Sequence, residues 1–435
     1  MDALVAARWQ MAVSLGFHMI FAALGIGMPL LMLLAEWKAR RGDRPECLAL
    51  ARTWAKVTAL LFAIGAVSGT ALSFELGLLW PSFMELAGGV VGSAFALEGF
   101  AFFLEAIFLA LYLYGWERLS PRAHWWCGVP VAVFSMLSGV LVLSANAWMH
   151  TPAGFTLLDG KVVDTDPIAA LFNPSFATLA LHSTLSVYVA TGFGVAAVHA
   201  AGILRGRDGP RHREGLRLAL LVGGVAALLQ PLSGDISARA AAEHQPAKLA
   251  AMEAHFVTGP APLAIGGWPD VEARELRGAL EVPGLLSLLL HGSRDATVVG
   301  LDAYPRADWP DVPLVRTAFS VMVAIGVLLP LVALWAFAAR RWTRLQGRPL
   351  LLAVSACGVL AFVALEAGWI VTEAGRQPWI VQDVMRTADA VTPSHDVGAT
   401  LAIFSLLYLF LGATLVVLLR RIARASPAET SRDAD

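Results

Sequence analysis

Side chains that can ligate iron or carry protons occur in this sequence where an apolar chain should exclude them. His18, Glu98, Glu105, His182, Met322, Glu366 and Glu373 all lie within long apolar runs. An ionisable group in hydrocarbon is costly, so such residues face protein or a water-filled cavity and are functional candidates. Histidine and methionine at one depth on different helices are what a low-spin haem with two axial ligands needs. Carboxyls repeated along one helix face can relay protons, because a carboxyl taken out of water can hold and exchange one. Each residue alone has a plainer reading. A methionine in an apolar helix is ordinarily packing, a lone buried histidine is ordinarily hydrogen-bonded core, and Glu373 beside Arg376 is ordinarily a structural ion pair. The shared depth of the set is what favours chemistry, and depth follows from the elements that carry them.

The 435 residues are 57% hydrophobic and 15% charged, with mean hydropathy +0.66. That leaves too little polar surface for a water-soluble globule and indicates an all-α integral membrane protein. Spanning about 30 Å of hydrocarbon takes about 20 apolar residues. Nine segments qualify, approximately 9–36, 54–80, 93–116, 126–149, 176–204, 215–235, 314–339, 349–374 and 397–419. The first is too long, and too polar at His18, for a signal peptide. Alternate connections (37–53, 117–124, 205–217, 340–348 and 420–424) carry about 19 Lys plus Arg, against about four in the other short connections. The positive-inside rule therefore predicts an outside N-terminus and a cytoplasmic C-terminus. The chain divides into six spans over 1–235, an extracytoplasmic loop over 236–313, three spans over 314–425 and a disordered tail over 426–435. Cys47, Cys127 and Cys357 are scattered, which predicts no disulfide. The net charge of −1 identifies no partner, and no nucleic acid is expected.

With this topology His18 lies about ten residues into the first span and Glu98 and Glu105 about five and twelve into the third. Their spacing of seven puts the two acids on one face, about 10 Å apart along the axis. His182 and Met322 lie about six and eight residues into the fifth and seventh spans, so most of the set falls in the outer half of the bilayer. Two readings stand: a haem-bearing redox protein, or a proton-coupled transporter or channel that uses the buried acids. The lack of paired halves weighs mildly against the transporter. In the outer loop "AKLAAMEAHFVTGPAP" begins as a helix and breaks at Gly259, Pro260 and Pro262. Lys248 and Glu253, five residues apart on that helix, need not pair, and taken alone they read as solvated charges. Trp148 and His150 read as anchors at headgroup level.

The chain resembles subunit I of the cytochrome bd quinol oxidases from Arg8 to about residue 420. The resemblance is carried by "RWQMAVSLGFHMIF", "ALEGFAFFLEAIF", "LSANAWMHTP", "KLAAMEAHFVTGPAP" and, most specifically, "EAGWIVTEAGRQPW" at 366–379. It implies His182 and Met322 as axial ligands of low-spin haem b. His18 and Glu373 would ligate two high-spin haems, either haem b with haem d or two haems b. Trp369 would stand between haems and Arg376 would neutralise a propionate, a pairing that guanidinium geometry favours. Glu98 would lie beside the oxygen-reducing haem, Glu105 and Ser138 on the proton path, and Lys248 and Glu253 at the site of ubiquinol or menaquinol oxidation. The implied activity is quinol:O2 oxidoreduction that builds proton motive force without pumping. The implied partners are subunit II, small accessory subunits and membrane lipid, in the bacterial inner membrane.

The chain also departs from the family pattern. Ser320 stands where members carry arginine, and Arg316, one turn earlier on roughly the same face, is suggested as the substitute, although helix-start arginines are more often interfacial anchors. The second span has Ser73 and Glu75 where an acid and glutamine are usual, leaving the role of Glu75 open. The helix-three acids are seven apart rather than eight, which a bulge could absorb. A long insertion of the quinol loop is missing. These features indicate a divergent branch, one in which haem b could replace haem d. Glu366 is left as a proton-path or haem-supporting candidate.

Overall fold

The computed structural model describes residues 2–42, 44–341, 347–394 and 396–425, so the tail expected at 426–435 lies outside the described residues. Its helices are α1 (Ala3–Gly42), α2 (Pro45–Leu79), α3 (Pro81–Tyr114), α4 (Pro121–His150), α5 (Pro167–Leu171), α6 (Phe176–Leu204), α7 (Pro210–His244), α8 (Pro246–Glu253), α9 (Leu285–His291), α10 (Val312–Arg341), α11 (Arg348–Ala374), α12 (Thr387–Ala390) and α13 (Val397–Ala425). Nine of these are long and apolar enough to cross a membrane among the described residues, and they coincide with the nine predicted spans. They run further than the apolar patterns do. The sixth span was expected to end at 235, yet α7 continues to His244, which shortens the outer loop at its start. Apolar patterning detects the lipid-facing turns, whereas a helix goes on as long as its backbone bonds are satisfied.

Proline opens α2, α3, α4, α7 and α8, where its missing N–H costs nothing. Two joints are one residue long: Trp80 between α2 and α3, and Gln245 between α7 and α8. Helix α6 packs against α7 and α11, α1 against α2, α4 and α13, and α3 against α4. The α6/α7 contact is close enough that a Cβ placed on Gly192 would lie 2.3 Å from Gly223 Cα. In a bilayer, where burial of apolar surface drives little, such backbone approach is what holds helices together. A polar junction ties α1, α3 and α4. Tyr112 donates to Glu36 at 2.6 Å, and His124 meets Glu36 through Nδ1 and the Tyr112 carbonyl through Nε2, both at 2.9 Å.

The all-α expectation holds for the bundle but not for the loops. Strands β1 (Thr156–Leu158) and β2 (Lys161–Val163) form one hairpin. In the long connection between α8 and α10, β3 (Gly259–Pro260) pairs with β6 (Thr297–Val298), and β4 (Leu263–Asp270) with β5 (Glu275–Val282). After α11, β7 (Trp379–Val381) pairs with β8 (Met385–Arg386). Helix α8 forms as its composition suggests and ends at Ala254, in the left-handed region at φ 51°.

Candidate functional site

The α1/α2 interface holds His18. Its Nδ1 lies 2.9 Å from Ser68 Oγ, and a Cβ on Gly69 would come within 3.1 Å of its Cε1. One turn earlier on α1, Ser14 donates to Glu75 Oε1 at 2.8 Å, and Tyr408 of α13 reaches the same oxygen at 3.3 Å. Glu75, fully buried, is thus held by hydroxyls, although its Oε2 has no partner among the described residues.

His182, on α6, faces α7: its Nδ1 is 3.0 Å from Ser233 Oγ, and the Gln230 amide donates to its carbonyl at 3.2 Å. Met322, on α10, sets its sulfur against α11, where a Cβ on Gly368 would approach within 3.2 Å. Trp369, next along, joins the apolar core formed by α6, α7, α10 and α11. Ser138 donates to Glu98 at 3.1 Å across α3 and α4. Glu105 lies one heptad deeper and is 5% exposed. Helix α3 is α-helical throughout, so the spacing of seven needs no bulge.

The end of α11 gathers groups from four elements. Glu373 accepts from Arg376 at 2.8 Å and from Asn146 of α4 at 2.7 Å. Arg376 is therefore committed to Glu373 and to the Trp379 carbonyl at 3.4 Å, and it comes within 3.5 Å of His150 Nε2. His150 is 3% exposed and Trp148 fully buried, its indole donating to Ala153 at 2.9 Å. Neither is an exposed headgroup anchor: both are packed inside the bundle at the end of α4. Lys248 of α8 lies against the same turn, where a Cβ on Gly375 would meet its Cγ at 2.9 Å. Burial, reinforced by the Arg376 guanidinium and opposed by Glu373, lowers the Lys248 pKa to about 7.

Arg316, offered as the substitute for the family arginine, is bound by the loop elements beside α10. Its guanidinium binds Glu253 at 3.2 Å, the Met252 carbonyl at 3.2 Å, and the Ala264 and Gly266 carbonyls at 2.6 and 2.9 Å. The arginine is thus turned outward, pinning α8 and β4 onto α10. Glu253, 8% exposed, has its pKa raised to about 6 by burial, with Arg316 acting against the rise. Lys248 and Glu253 are therefore not the solvated pair that composition alone suggests. They serve different partners, as their spacing allows.

The donors suit haem iron: imidazole, thioether and carboxylate are all axial ligands of the required kinds. Glycine backs His18, Met322 and, at 3.6 Å from a Cβ on Gly234, His182, so each donor packs close against the neighbouring helix. Asn146 Oδ1, Gln230 Oε1 and Glu366 Oε1 are buried without partners among the described residues. Buried polar atoms are ordinarily satisfied, so these fit a site built for a group with polar atoms of its own. Glu366 also lines a cavity of about 960 Å³ bordered by α6, α10 and α11.

The family model for cytochrome bd terminal oxidase subunit I matches residues 6–427. The chain belongs to this family. It is 39% identical over 436 residues to a putative cytochrome bd menaquinol oxidase subunit I of Bacillus subtilis (strain 168), covering 99% of this chain and 98% of that one. The cytochrome bd-II ubiquinol oxidase subunit 1 of Escherichia coli (strain K12) is 28% identical over 501 residues, covering 98% of this chain and 97% of its own. The bd oxidase structure from Geobacillus thermodenitrificans superposes with TM-score 0.93 at 38% identity, covering 98% of this chain and 99% of that one. Membership makes the chain a multi-pass subunit of a quinol oxidase of the bacterial inner membrane, with haem cofactors and a second subunit as partner. The transporter reading is not favoured.

Asn146, Gln230, Ser68, Ser233 and His150 contact the candidate site residues, and the sequence alone does not single them out as site residues. Asn146 and His150 sat inside the matched segment "LSANAWMHTP", which was the one available signal.

Proposed function

We propose that quinol is oxidised at the outer face, where α8 meets the end of α11, and that O2 is reduced to water deeper in the bundle. The observation that carries this is the contact of Lys248 with Gly375, which joins the loop helix to the Glu373–Arg376 turn. His182 and Met322 would hold low-spin haem b, and His18 and Glu373 the high-spin pair, haem b with haem d or a further haem b. The haems supply reversible one-electron redox chemistry and the site of O2 reduction.

Everything else is work for this chain's residues. Lys248, with a pKa of about 7, is partly the neutral amine at neutral pH and can take a proton from a quinol hydroxyl. Glu253, held by Arg316, keeps the loop helix in place and can accept a second proton above about pH 6. Glu105 would receive protons from the cytoplasmic side and pass them along its helix face toward Glu98, which Ser138 orients. With quinol protons released outside and oxygen's protons taken from inside, charge separates without pumping. The N-terminus is then outside and the C-terminus cytoplasmic, as the Lys and Arg distribution favours. The relatives' names include both menaquinol and ubiquinol oxidases, so the proposal commits to a quinol and not to one ring.

An absorption spectrum of the purified complex tests the haem assignment: a band beyond about 600 nm identifies haem d, its absence with haem b bands identifies two high-spin haems b, and no haem bands at all would overturn the reading. For the quinol site, Lys248→Met should lower kcat/KM for quinol by about tenfold or more while leaving oxygen uptake from an artificial donor intact. Equal loss with both donors would refute it. In the unmodified protein the quinol rate should rise as pH climbs through about 7, since the base form of Lys248 appears above its pKa, and Lys248→Met should remove that inflection.

A further inference from the structure

His18 and His182 sit on different helices and face different neighbours, yet the hydrogen-bond chain behind each is the same. In both, Nδ1 meets a buried serine Oγ, Ser68 at 2.9 Å and Ser233 at 3.0 Å. In both, that hydroxyl also reaches back into its own helix, Ser68 to the Ile64 carbonyl and Ser233 to the Gln230 carbonyl, each at 2.9 Å. We infer that Ser68 and Ser233 fix the tautomer of these histidines, making Nδ1 the protonated nitrogen and leaving Nε2 as the bare donor that faces iron. This rests on the reading of His18 and His182 as haem ligands.

A serine hydroxyl has one hydrogen, and a carbonyl oxygen can only accept. If the hydroxyl donates to its carbonyl, it must accept from Nδ1–H, and every contact in the chain has a proton. If instead it donates to Nδ1, two oxygens face each other at 2.9 Å with no hydrogen between them. The histidine would then carry its proton on Nε2, which in His18 has no hydrogen-bond partner among the described residues. Around His182 the Gln230 amide nitrogen lies almost equally far from Nε2, at 3.3 Å, and from Nδ1, at 3.4 Å, so it sits over the ring face and leaves the in-plane lone pair of Nε2 open. An imidazole whose remote N–H is held by an acceptor is oriented and made more basic toward a metal. The serines are positioning residues: they touch the ligand, not the iron.

The test uses the whole oxidase with its second subunit. Ser68→Ala and Ser233→Ala should each keep haem but weaken the histidine bond. For Ser68→Ala the iron–histidine stretch of the ferrous high-spin haem should fall in frequency, and for Ser233→Ala the low-spin midpoint potential should rise, as a less basic ligand favours ferrous iron. Haem transfer to apomyoglobin should quicken by about tenfold or more in each. Ser68→Thr and Ser233→Thr, which keep the hydroxyl, should restore all three readouts. Loss of haem in the alanine variants with retention in the threonine variants supports the same conclusion. Unchanged frequency, potential and transfer rate in the alanine variants would overturn it, as would equal changes in the threonine variants, which would mean packing. His18→Ala and His182→Ala serve as separate controls: full haem in both would refute the ligand reading itself.

Discussion

Met322→Leu should remove the low-spin haem band from the reduced-minus-oxidised spectrum while the remaining haem bands persist, and His182→Ala should do the same. Leucine nearly matches methionine in volume, and swaps of that kind usually cost less than about 1.5 kcal/mol. The fold should therefore survive, and what disappears is the thioether donor. Its sulfur lies against Gly368, where a Cβ would come within 3.2 Å of Sδ. His182→Ala leaves Ser233 and Gln230 facing a void, so a somewhat lower yield is expected, but loss of the same band links the two residues to one haem. If the low-spin band remains in both variants, the ligand assignment is wrong.

Arg316→Met should release the outer loop. The guanidinium is 2% exposed and satisfies one carboxylate and three carbonyls from two separate elements. Removing one member of a buried ion pair typically costs about 3–5 kcal/mol, because the other charge is left without compensation. Limited proteolysis should then cut the α8 to β5 region at least tenfold faster, and quinol oxidation should fall while haem content stays constant. Adding Glu253→Gln should recover part of the loss, since the uncompensated carboxylate is then gone. Simple additivity of the two substitutions would argue against the pair as the anchor. Lower pH should also help the single variant. The folded pKa of Glu253 is already raised to about 6, so its burial is easiest when protonated and becomes harder as pH rises through that value.

The span pattern was legible in the sequence because hydrocarbon thickness sets a length that composition reveals. The heptad of Glu98 and Glu105 was equally readable, being local to one helix. What stayed hidden was pairing between helices. Nothing in the run around Ser68 or Ser233 distinguishes it from other small residues in a membrane helix, since the meaning of each serine comes from the histidine opposite. The partners of Arg316 were hidden for a related reason: its reach lets it bind carbonyls of a hairpin that periodicity did not announce. Trp148 and His150 followed a statistical preference for interfaces that tertiary closure overrode.

One joint has a mechanical consequence. Gln245 alone separates α7, which carries Gln230 and Ser233 against His182, from α8, which carries Lys248. Its side chain donates to the His150 carbonyl at 3.2 Å, so the elbow is braced against the neighbouring helix. A braced, one-residue elbow has little slack, so if quinol seats against α8 as proposed, a tilt of the short arm would be passed to the long one. On the proposed assignment, the quinol pocket and the first histidine of the electron path would be two ends of a single lever.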